Sequence, residues 1–167
     1  MTDAPAPPRL FLLWLTGGLA LALFAGIAIW LAPLKPGVLA LQLAFSPRTF
    51  GEIVHWWPPE HLARYRAHFP ADFALLLCYG AFGWLLATRT GLFAGRSPAW
   101  RAWATWALSL AAVGDAVENL FHLWLTEAPR FGVAWVYAVA ALAASIKWGL
   151  LLAWAVTVFC AAIRRDA

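Results

Sequence analysis

Residues 102–125 read AWATWALSLAAVGDAVENLFHLWL, an apolar run long enough to cross a hydrocarbon core, with Asp115, Glu118, Asn119 and His122 set into it. At 100° per residue, Glu118 lies at about −60°, Asn119 at about +40° and His122 at about −20° from Asp115, so all four share one face of a helix. Ionisable groups in such a run are costly in lipid and turn inward toward partners or a polar cavity. The stretch therefore predicts an all-α membrane protein in which one helix presents a polar wall to its neighbours.

The rest of the chain agrees with that class. Of 167 residues 63% are hydrophobic and only 12% charged, and the mean hydropathy is +0.72. A soluble domain of this size needs more polar residues to clothe its surface. The twelve Lys and Arg residues are scattered through short loops and form no stripe or tail, which argues against a nucleic-acid partner. Cys78 and Cys160 fall in different hydrophobic segments, near opposite faces of the membrane, and cannot bridge within one chain.

Working outward, four membrane-spanning helices are predicted over 10–32, 72–92, 102–125 and 133–160, making one membrane domain of 1–167. The first run is too long for the core of a cleaved leader, and Pro33 and Pro36 end it. The fourth is interrupted only by Lys147, and its Ala138, Ala140, Ala141, Ala143, Ala144 and Ser145 are the small residues that let membrane helices approach closely. Between the first two spans, Ser46 before Pro47 is an N-cap with proline at the first helical position, and Phe50, Ile53, Val54 and Trp57 follow at helical spacing. Pro59 opens another short helix with Leu62, Tyr65 and Phe69 on one side. Two amphipathic helices, 46–57 and 59–69, are thus expected to lie in the interface and cap the bundle.

Arg9, Arg89, Arg96, Arg101, Arg164 and Arg165 fall on one side, and Lys35, Arg48, Arg64, Arg66 and Arg130 on the other. That margin of one residue favours cytoplasmic termini in a multi-pass membrane protein. The capping helices then face the outer leaflet.

Lys147 sits near the middle of its helix, at the depth of Asp115. Each unpaired charge there costs about 2.5–3.5 kcal/mol on the insertion scale. Lys147 is therefore expected to pair with Asp115 or Glu118, and the surplus acid to hold a proton or be wetted by a polar cavity. On the second helix Asp72, Tyr79 and Gly83 project to nearly one side. Together these residues predict a cavity, polar from the midplane outward, that opens beneath the capping helices. A structural ion pair that fixes helix register is the plainer alternative.

Asp115, Glu118 and His122 are the acid–base candidates. Asn119, Lys147, Asp72, Tyr79 and Trp57 are the ligand-binding candidates. Tryptophans at this boundary, Trp56 and Trp57 among them, also serve as membrane anchors. A metal held by His122, Glu118 and His55 or His61 has no spacing motif behind it, so no metal site is assigned. No nucleophile motif or cofactor fingerprint accompanies these residues.

LQLAFSP (Leu41 to Pro47), the Trp56-Trp57 pair, Asp72 with Tyr79, the D-x-x-E-N of Asp115 to Asn119, and Lys147-Trp148 together resemble a group of small bacterial four-helix membrane proteins. A looser similarity is to the emopamil-binding and sigma-2 type fold, which places acidic residues in a membrane-embedded pocket for cationic or sterol-like ligands. The intramembrane Lys147 departs from that plan. The resemblance implies four helices around a pocket.

The function expected is a pocket, protonatable and open toward the outer leaflet, that binds or acts on a small hydrophobic or amphipathic molecule such as a lipid or isoprenoid. In this scheme Lys147 holds one carboxylate ionised, Asn119 and Tyr79 orient the ligand, and His122 or the second carboxylate moves a proton. The alternatives are an accessory subunit of a respiratory or photosynthetic complex, in which another membrane chain or a second copy meets the polar face, and a proton-coupled transporter or channel.

Overall fold

A computed structural model describes residues 10–128 and 130–163. Arg9, Arg164 and Arg165, used above for orientation, lie outside the described residues. All regular structure within them is helical: α1 (Phe11–Leu31), α2 (Val38–Gln42), α3 (Pro47–Trp56), α4 (Pro59–Ala67), α5 (Phe69–Arg89), α6 (Pro98–Leu125) and α7 (Ala134–Ile163). Three stretches are long and apolar enough to cross a membrane: Phe11–Leu31, Pro59–Arg89 and Ala134–Ile163, with hydropathies of 2.2, 1.5 and 1.9. The remaining long helix, α6, has 28 residues, and its apolar run is broken by the polar face described above.

Helix starts follow local chemistry. Ser46 Oγ accepts from Thr49 N with Pro47 at the first helical position, and Ser97 does the same for Trp100 N ahead of Pro98. The second cap moves the start of α6 to 98 from the expected 102. At the far end of α5, Gly91 has φ +63°, a left-handed conformation that glycine adopts without a Cβ penalty and that stops the helix after Arg89.

Two further differences lie between α1 and α5. A five-residue helix, α2, occupies a stretch for which no element was expected. The break expected between 69 and 72 narrows to one residue, His68, and falls earlier, because Pro70 has no N–H to continue the ladder. The His68 ring Nδ1 turns back onto the Tyr65 carbonyl at this joint.

The long helices pack in the spatial order α1, α5, α6, α7. Small residues set the close approaches. A Cβ on Gly83 of α5 would lie 2.7 Å from Leu108 Cβ of α6, and one on Gly114 of α6 would lie 3.2 Å from the Ala143 carbonyl oxygen of α7. Ala140, Ala141 and Ala144 of α7 are buried. Outward surfaces of α1, α6 and α7 expose Phe11, Leu21, Ile29, Trp106, Trp135 and Phe159.

At the end where α1 and α6 stop and α5 and α7 begin, α2, α3 and α4 form a cap. Phe50, Trp57, Tyr65, Phe69, Leu125 and Tyr137 share one apolar cluster there. Polar contacts tie the cap down. Arg64 Nη1 donates to Trp30 O at 3.1 Å while Trp30 Nε1 donates to Arg64 O at 3.0 Å. Arg66 Nη1 donates to Leu123 O and to Thr126 Oγ1, both at 2.9 Å, satisfying an otherwise open end of α6.

Candidate functional site

The polar face of α6 is enclosed by α4, α5 and α7. Asp115 is 4% exposed, Glu118 0%, Asn119 3%, His122 1% and Lys147 3%. Lys147 Nζ stands 2.9 Å from Asp115 Oδ1, to which it donates, and 2.7 Å from Glu118 Oε2. The second contact is an ion pair by distance but lies off the axis of a hydrogen bond, and Glu118 Oε1 has no partner. One ammonium therefore serves two buried carboxylates. The close approach at Gly114 is what brings α7 near enough for this, since that residue immediately precedes Asp115.

Tyr79 and Asp72 complete the α5 side. Tyr79 OH donates to Asp115 Oδ2 at 3.1 Å, so both oxygens of Asp115 are engaged. Asn119 Nδ2 donates to Asp72 Oδ2 at 2.6 Å, one turn nearer the cap. His122, one turn beyond Glu118, meets Tyr65 OH of α4 at 2.7 Å through Nδ1. Seven of the eight candidate residues thus fall along this one interior face, six of them buried and Asp72 half-buried. The eighth, Trp57, packs against Tyr65 with ring centroids 5.2 Å apart and donates its indole N–H to Pro36 O at 2.9 Å.

Compared with known protein families, with curated proteins and with solved structures, the chain matches none.

The cavity is not where the polar residues are. A space of about 900 Å³ lies between α3, the C-terminal end of α6 and the connection from α6 to α7. Phe50, Val54, Trp57, Leu62, Leu125 and Tyr137 supply much of its apolar wall, and Arg48, Glu52, Glu127 and Arg130 its charged part. Asp72, Tyr79, Asp115, Glu118, Asn119, His122 and Lys147 do not border it. The polar wall expected for the cavity is instead one layer removed, because these groups pair with one another across closely packed helices, Glu118 through its ion pair alone. Phe50 is the intervening layer: it lines the cavity and sits edge-on to His122 with ring centroids 5.3 Å apart, and to Tyr137 at 5.2 Å.

Two neighbours of this group went unassigned in the sequence. Tyr65 was legible only as part of an apolar face, and its hydroxyl partner lies 57 residues away. Phe50 carried the right period for a buried residue but nothing to indicate a partition. Chemically, the buried group holds two carboxylates on one ammonium with a Tyr–His pair between them and the cavity. Among the described residues no three His, Cys, Asp or Glu side chains come together as a metal site.

Proposed function

We propose that this chain is a four-span protein of the bacterial inner membrane that binds a small hydrophobic or amphipathic molecule, a lipid or isoprenoid, in the cavity beside α3. In this reading both termini are cytoplasmic, α3 and α4 lie along the outer interface, and the cavity opens to the outer leaflet. The observation that carries it is the cavity itself. Its volume of about 900 Å³ is in the range of ligand sites, roughly 300–1,000 Å³, and a chiefly apolar lining with a few charged groups is how such sites are built.

The buried carboxylates give the site its chemistry. A ligand that displaced the Phe50 ring would meet His122 and Tyr65, with Glu118 one turn deeper. Glu118 and His122 then act as the acid–base pair, and Lys147 with Tyr79 holds Asp115 ionised. Counting α6 as a fourth span is supported by its place between α5 and α7 and by its inward-turned ionisable groups, as an intramembrane helix of this composition requires.

Gly51 provides the test. It lines the cavity, and a Cβ there meets nothing within 4 Å. Gly51→Trp fills the space from a position that tolerates a side chain. Lipid extracted from purified wild type and from Gly51→Trp is compared by mass spectrometry, alongside Glu118→Gln. A small amphiphile present in wild type and missing from Gly51→Trp supports the reading, and its chemical alteration only where Glu118 is intact supports the acid–base role. Stoichiometric recovery of another membrane protein with no bound small molecule would replace it with the accessory-subunit reading.

A further inference from the structure

The mouth of the cavity carries two ion pairs from separate parts of the chain. On α3, Arg48 Nε donates to Glu52 Oε1 at 2.9 Å. On the connection after α6, Arg130 Nη2 donates to Glu127 Oε2 at 3.4 Å. All four residues line the cavity. Exposed pairs of this kind add little to stability, which leaves the Arg48–Glu52 pair without a structural reason, while Arg130 is also held over the Trp124 ring with Cζ 4.2 Å from its centroid.

Neither pair exhausts its groups. A guanidinium carries five N–H donors, and a carboxylate has about four acceptor sites. Arg48 engages only Nε, Arg130 engages Nε with Trp124 O and Nη2 with Glu127, and each glutamate uses one oxygen. Donors and acceptors therefore remain open on both sides of the mouth.

We propose that this mouth binds the head group of a zwitterionic lipid, one bearing a phosphate and an ammonium, whose acyl chains occupy the cavity. Charge balance selects the class. Two arginines and two glutamates sum to zero, so an anionic head group meets repulsion from Glu52 and Glu127 and a cationic one from Arg48 and Arg130. A phosphate on the open guanidinium nitrogens and an ammonium on the open carboxylate oxygens satisfy both signs at once, and the planar fork of arginine suits phosphate. The inference rests on the ligand-binding reading above and adds selectivity for the head group.

Native mass spectrometry of the full chain in detergent, titrated separately with dioleoyl phosphatidylethanolamine, dioleoyl phosphatidylglycerol and dioleoylglycerol, measures this. The first should bind about tenfold more tightly than either of the others, the ratio that one charge-assisted hydrogen bond supplies. Arg48 and Glu52 are exposed, their side chains at 89% and 57%, so Arg48→Gln combined with Glu52→Gln keeps the fold and should shrink the tenfold preference, with Arg130 and Glu127 left in place. Phosphatidylglycerol bound as tightly as phosphatidylethanolamine, or a dimer that closes the mouth to all three lipids, overturns the inference. Failure of the underlying reading looks different: phosphatidylethanolamine would then bind Gly51→Trp as well as wild type, from somewhere other than the cavity.

Discussion

Replacing Lys147 by Met removes, among the described residues, the only ammonium within reach of two buried carboxylates. The side chains of Lys147, Asp115 and Glu118 are 4%, 6% and 1% exposed, so water cannot take over the solvation that Nζ provides at 2.9 and 2.7 Å. Breaking a buried pair by removing one partner costs about 3–5 kcal/mol, because the charge left behind is uncompensated. For a chain of this length each kcal/mol moves the unfolding midpoint by about 2–4 °C, which gives a fall of about 6–20 °C. Asp115→Asn should cost less, since Lys147 keeps Glu118 as a one-to-one partner and the single amide oxygen can still accept from either Tyr79 or Lys147. Combining Lys147→Met with Asp115→Asn and Glu118→Gln removes all three charges and should recover most of the lost stability. Thermal unfolding followed by circular dichroism, in one detergent at one pH, compares the set. If Lys147→Met melts within about 2 °C of wild type, a shift worth roughly 1 kcal/mol or less, or if the triple variant melts no higher than Lys147→Met, the carboxylates are not held by this ammonium.

Gly51→Trp should leave the protein as stable as wild type or gain about 0.5 kcal/mol from helix propensity, readable as an unchanged or slightly higher midpoint beside its loss of ligand. Gly83→Ala forces a Cβ to 2.7 Å from that of Leu108, so α5 and α6 must separate, at about 1–3 kcal/mol and a lower midpoint. For Tyr65 and His122, a double-mutant cycle of Tyr65→Phe and His122→Phe should return a coupling of about 1 kcal/mol, and strict additivity would show that the 2.7 Å contact contributes nothing.

How far the sequence announced all this depends on whether the signal was local. The polar face of α6 was legible because its four residues fall within eight positions at helical spacing, and such groups in an apolar run turn inward. Ser46-Pro47 gave the start of α3, and the same dipeptide chemistry at Ser97-Pro98 would have given the start of α6, although Arg101 suggested a boundary four residues later. Lys147 could be matched in depth to Asp115 by counting along each helix, whereas its simultaneous contact with Glu118 depends on the approach at Gly114. The cavity was misplaced for a reason of packing. Polar side chains running outward from the midplane on three facing helices suggest a shared space, but here they close on one another, and the space beside α3 opens where that helix stands away from the connection between α6 and α7. No periodicity encodes that separation.

The cap has a consequence for the order of events in synthesis. Arg66 is held by Leu123 O and Thr126 Oγ1, Tyr65 by His122, and Phe50 by rings at His122 and Tyr137, all in parts of the chain made later. While the ribosome is still short of residue 126, α3 and α4 can rest on the end of α1 through Trp30 and Arg64, on Pro36 through Trp57 and on Phe69 through Tyr65, but lack their partners on α6 and α7. Their final seat comes into being with the second half of the protein, and Asp115 and Glu118 wait longer still, for the emergence of Lys147. A chain stopped after α5 would have all three helices of its cap and only the α1 and α5 part of the surface on which they close.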